Sequence, residues 1–138
     1  MTRAFLPRRA FALAISMGAL LGTGGAAVAA TRITPPLFVS SGGSMLCTAT
    51  NLSTAPRTVT IEVRDSAGNL VPFANANCSA TNPKTSVVDP GAVTAIGCAG
   101  SGYRYCRFTI NGAGKTSLRG VLRVFDGASA TLGVLPAK

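Results

Sequence analysis

Beyond residue 30 the chain alternates apolar and polar positions in short runs. Clusters of Gly, Pro, Asn, Asp and Ser separate the runs, and no stretch repeats with helical period. The clearest run is residues 57–64, where Val59, Ile61 and Val63 point one way and Thr58, Thr60, Glu62 and Arg64 the other, as in a half-buried strand. Cys106, Phe108 and Ile110 define an inward face over residues 104–110, and Leu118, Leu122 and Val124 define one over residues 118–125. Further strands are expected over residues 45–51, 87–88, 92–98 and 131–135. Residues 33–39 form another, broken by Pro35-Pro36 and therefore confined to an edge.

The turns follow from residue chemistry. Residues 65–69 predict a turn from which Leu70-Val71 opens a returning strand, and residues 72–84 a loop around Cys78. Asp89-Pro90-Gly91 is a tight turn. Asn111-Gly112-Ala113-Gly114 predicts a hairpin that sets residues 104–110 beside residues 118–125. Seven to eight short strands at this spacing predict an all-β fold, an antiparallel β-sandwich, with a small barrel as the rival architecture.

Residues 1–30 pattern differently. Arg3, Arg8 and Arg9 precede an apolar run over residues 10–21, and small residues lead to Ala27-Val28-Ala29-Ala30. That is the layout of a cleavable export signal. The run is too short for a membrane span, which needs about 20 residues. Cleavage is expected after Ala30, with Ala29 as the competing position, leaving residues 31–138 as the β-sandwich domain. Arg8-Arg9-Ala10-Phe11 partly matches a twin-arginine signal, but Pro7 and Ala12 depart from it, so an ordinary secretory route is favoured. No later apolar run is long enough to span a membrane, and a periplasmic or extracellular location is expected.

Composition then removes function classes. The chain has no His, no Trp and four carboxylates, Glu62, Asp65, Asp89 and Asp126. This leaves no His base or His metal ligand and little room for paired-acid chemistry, so a non-catalytic protein without cofactor or metal is expected. Cys47, Cys78, Cys98 and Cys106 all follow the signal, and an even count in an exported chain predicts two disulfides. Three connectivities are open. Zinc is disfavoured by spacings of 31, 20 and 8 residues and by the missing His. Asp65 and Asp89 sit in turn signals, where capping a turn is their ordinary role.

The candidate for function is a surface. With Cys106 and Phe108 inward, Tyr105 and Arg107 face outward; with Leu118 and Leu122 inward, so do Arg119 and Arg123. The expected hairpin joins these four into one cationic face, flanked by Thr60, Glu62 and Arg64 if residues 57–64 share the sheet. An anionic envelope component or an acidic protein would fit it. The competing view is a solvated face needed only for solubility, and with it a purely structural or protective secreted protein. Nucleic acid is not expected, since the Arg are few and only Tyr105 is placed to stack.

The 59-residue separation of Cys47, in the strand over residues 45–51, and Cys106, in a late strand, resembles that of the inter-sheet cysteines of immunoglobulin domains. The core Trp is missing, and Tyr103 and Tyr105 lie three and one residues before Cys106 rather than two, so the resemblance is to the architecture. The segments CTATNLS (47–53), TVTIEVRDSAGNLV (58–71), YCRFTING (105–112) and LRGVLRVFDGASATLGVLPA (118–137) also resemble those of small exported bacterial proteins without an assigned function. The resemblance implies an immunoglobulin-like sandwich in which Cys47 pairs with Cys106 and Cys78 with Cys98. The rival pairing joins Cys98 to Cys106 and Cys47 to Cys78.

Overall fold

A computed structural model describes residues 28–72, 78–128 and 130–138. The expected signal segment lies outside them except for residues 28–30. Among the described residues, nine strands form two antiparallel sheets. The first holds β1 (Ala30–Ile33), β2 (Leu37–Val39), β4 (Arg57–Asp65), β5 (Lys84–Val88) and β7 (Gly102–Ile110). Its order is β1-β7-β4-β5, with β2 also paired to β7. The second holds β3 (Ser44–Asn51), β6 (Val93–Ala99), β8 (Leu118–Phe125) and β9 (Thr131–Pro136), in the order β6-β3-β8-β9.

The sheets pack face to face through the side chains the alternation marks as inward. Val59, Ile61, Val63, Phe108 and Ile110 of the first sheet, and Met45, Ala49, Ile96, Leu118, Leu122 and Val124 of the second, are all buried. Burying such side chains contributes roughly 1.5–3 kcal/mol each, as the dominant favourable term.

Three local departures from the sequence expectation have clear causes. The edge strand breaks at Pro35-Pro36 as expected, but its first segment begins at Ala30 rather than Ile33, so two strands, β1 and β2, lie against β7. Thr34 holds the break: its amide donates to Cys106 O (3.0 Å) and its Oγ1 accepts from the Cys106 amide (3.0 Å). Its side chain thus completes a ladder that the prolines cannot. Among the described residues Leu70-Val71 opens no strand; Leu70 makes an isolated bridge to Arg64 and the Val71 amide donates to Val63 O (3.0 Å). Just before β5, the side chain of Asn82 adds to the pairing. Its Nδ2 donates to Val63 O and Val71 O (2.8 Å each) and its Oδ1 accepts from the Val63 amide (3.0 Å).

The third departure is the largest. Residues 111–117 do not fold β8 back beside β7. They cross from one sheet to the other through a single 3-10 turn at Lys115–Ser117, and β8 pairs with β3 instead.

Asn51 is fully buried at the end of β3. Its Nδ2 donates to Ala55 O and Val88 O (2.8 Å each), and its Oδ1 accepts from the Ser53 amide (2.9 Å) and Ser53 Oγ (2.7 Å). This fixes the turn that carries the chain from β3 into the other sheet. Asn51→Ala removes all four bonds, leaving the Ser53 amide and Val88 O without this partner while Ser53 Oγ still donates to Ala55 O, and is expected to cost about 3 kcal/mol in urea unfolding. A loss under about 1 kcal/mol would mean that water replaces the amide.

Candidate functional site

The structure pairs Cys47 with Cys106 across the two sheets (Cα–Cα 5.9 Å) and Cys78 with Cys98. The first bond joins the middle of β3 to β7 inside the core, and both cysteines are fully buried. The second ties the segment after residue 77 to the outer edge of β6. There Ser79 donates its amide to Gly97 O (2.7 Å), Ser79 Oγ accepts from the Gly97 amide (3.0 Å), and Lys84 Nζ donates to Ala95 O (2.7 Å). The free edge of β6 is thereby covered, which removes a template for pairing with another chain. No helix among the described residues is long and apolar enough to cross a membrane.

The four residues expected to form one cationic face fall on two. Tyr105 and Arg107 lie on the outer side of the β7 sheet, and Arg119 and Arg123 on the outer side of the β8 sheet. The expectation fails because β7 and β8 belong to different sheets. Phe108 and Gly120 meet across the core, so the outward side chains of the two strands point in opposite directions.

Each half has its own character. Around Arg107 the register places Glu62 on β4, and Tyr105 stands opposite Arg64. Glu62 Oε2 accepts from Arg64 Nε at 2.8 Å and pairs with Arg107 Nη1 at 3.7 Å. The hydrogen bond to Glu62 raises the Arg64 pKa above its already high ordinary value. Much of the positive charge on this face is therefore answered within it. Thr31, Thr109, Thr60 and Thr85 form the next row across four strands, with hydroxyl contacts Thr31–Thr109 (3.3 Å) and Thr60–Thr85 (3.0 Å).

The same face carries an aromatic pair absent from the expected set. Phe38 on β2 and Tyr103 on β7, each 56 % exposed, meet edge to face with ring centroids 5.3 Å apart. Tyr103 precedes Tyr105 by two residues, so its outward direction follows from the alternation. Phe38 was hidden because its register depends on the break at the prolines.

The β8 half differs in charge. None of β6, β3, β8 and β9 contains an acidic residue. Arg119 and Arg123 are exposed, about 13 Å apart along the strand, and form no ion pair or hydrogen bond to the described residues. Their cross-strand neighbours are neutral: Thr50 beside Arg119, and Leu46 and Val134 on either side of Arg123.

Two carboxylates outside this surface, Asp65 and Asp126, serve turns, whereas Asp89 contributes to its turn through its backbone carbonyl, which accepts from the Ala92 amide (3.0 Å). Asp65 Oδ1 accepts from the amides of Ala67 and Asn69 (2.9 Å each), and the bond from Asn69 is the main reason its pKa lies below the usual value. Asp126 Oδ1 accepts from Ala128 (2.9 Å) and Ala130 (2.8 Å) in the same way. No group of three or more potential metal ligands occurs among the described residues. No protein-family model, curated protein or solved structure matches the chain.

Proposed function

We propose that the protein is an exported, non-catalytic, immunoglobulin-like β-sandwich that acts as an interaction module toward an anionic envelope component, through the outer face of the β8 sheet. The observation that carries this reading is the pair Arg119 and Arg123, two exposed cations without ion-pair partners among the described residues, on a sheet whose strands hold no acidic residue. Arg107, by contrast, faces Glu62. Unanswered charge creates the longer-ranged field, and that field steers an anionic partner.

Two disulfides support an oxidising compartment, and the layout of residues 1–30 supports export. The Cys47–Cys106 bond supports the immunoglobulin-like reading, with β3 and β7 in the places of strands B and F and β4 beside β7 as strand C. The sandwich departs from that family at both termini. β1 and β2 take the side of β7 where the last strand of an immunoglobulin domain lies, and β8 joins β3 instead.

The oxidised protein is expected to sediment with isolated envelopes at low salt and to be released at high salt. Arg119→Ser with Arg123→Ser should abolish that retention, while Arg107→Ser should leave most of it. Equal retention of all three proteins, or none for any, would remove the binding role and leave a structural one.

A further inference from the structure

The sandwich is electrically polarised along its strands. Register brings the start of β4, the end of β7, the crossover after it and the start of β8 to one end. Arg57, Lys115 and Arg32 gather there, with Arg119 at the margin. Asp65 and Asp126 lie at the opposite end, since Asp65 pairs with Arg104 and Asp126 follows Phe125, the partner of Ser44. Asp89, beside the end of β5, is the acid at the cationic end, and it forms no ion pair among the described residues.

A concave surface lies at this end, lined by Arg57, Lys115, Thr31 and the loop of Gly112, Ala113 and Gly114; residues 28–30 also border it, and cleavage after Ala30 would open it further. The loop is glycine-rich, and Gly112 adopts a φ of 70°, in the left-handed region. The amides of residues 112–115 donate to no protein acceptor among the described residues. The loop is nevertheless anchored: Lys115 O accepts from Arg32 Nε (2.9 Å) and from the Leu118 amide. The Arg57 side chain has no hydrogen-bond partner among the described residues, and its Nε, like that of Arg107, is shielded from solvent without an acceptor.

We propose that this end binds a tetrahedral oxyanion, either free phosphate or the phosphate or sulfate group of an ester. Arg57 supplies a fork of donors and Lys115 a point charge. The unused amides of the glycine loop supply short-range donors. Lys115 opens the single 3-10 turn, but side-chain charge and the loop amides, not that turn's dipole, do the binding. The site uses residues other than Arg119 and Arg123, so it stands or falls separately from the envelope-binding face.

The test is a titration of the oxidised, 15N-labelled protein with inorganic phosphate, at ionic strength held constant with chloride. Signals of residues 112–116 and of Arg57 Nε–H are expected to move saturably. Arg57→Gln and Lys115→Gln should each weaken the phosphate Kd at least about tenfold, and Arg123→Gln should not change it. Arg57→Lys keeps the charge without the fork and should fall between, which preserves the test if the Gln variant folds poorly. A soluble phosphate monoester and phosphatidylglycerol vesicles, run alongside, separate the sources of the group. Tighter binding of the ester assigns a soluble ligand, and tighter binding of vesicles assigns a lipid headgroup. Shifts that chloride reproduces, that fail to saturate, or that persist in folded Arg57 and Lys115 variants overturn the proposal.

Discussion

Replacing Cys47 and Cys106 together with alanine is expected to lower the unfolding free energy by about 4 kcal/mol, the loop-closure entropy of a bond spanning 59 residues. For a domain of about 100 residues this is a drop of roughly 20 °C in Tm. The geometry places the bond where it is hardest to replace. It links the sheets through their central strands, among side chains that are fully buried, and truncating both cysteines leaves a gap that adds to the entropic loss. Cys78–Cys98 spans 20 residues and pins a covering segment to the edge of β6, for which the same entropy is about 3 kcal/mol. Urea unfolding followed by far-UV circular dichroism in the absence of reductant measures the double alanine variant. A midpoint within experimental error of the parent would show that the sheets are held by their apolar faces alone.

The strands were largely legible because a period of two is a local property. Residues 57–64 show it without exception, and Cys106, Phe108 and Ile110 follow it into the core. What alternation does not encode is the neighbour. Asn111-Gly112 has the local chemistry of a hairpin turn, yet β8 goes to β3, because the long-range packing of Phe108 over Gly120 requires β8 to face β7 across the core. The expected cationic face inherited that error. Two of its members keep their outward direction on each sheet: Arg107 keeps Glu62, the neighbour expected if residues 57–64 share its sheet, while Arg119 and Arg123 lie on a sheet whose strands hold no acid. Leu70-Val71 misled for a related reason. The amide of Asn82 imitates a strand's donors and acceptor, and no pattern in residues 65–71 announces a side chain eleven positions after Val71.

Gly120 is the position where that packing is most exposed to test. A Cβ placed on it would lie 2.4 Å from Phe108 Cδ2 and 2.6 Å from Cε2, far inside contact distance. The residue opposite Gly120 on β3 is Ala49, fully buried. The two small residues leave a hollow in one sheet that the ring from the other sheet fills, in the close-packed manner of protein interiors. Gly120→Val is therefore expected to cost about 3 kcal/mol, at the upper end for overpacking, because both the ring and the β8 backbone are held by neighbours. Phe108→Leu alone is expected to cost about 1–2 kcal/mol through the space it vacates. Combined, the two should cost clearly less than their sum, since the smaller side chain yields the room that the added methyl groups need. The double-mutant cycle, measured by urea unfolding, reads this directly. Additive losses would mean that the ring does not sit over Gly120, and the assignment of β7 and β8 to opposing sheets would lose its packing argument.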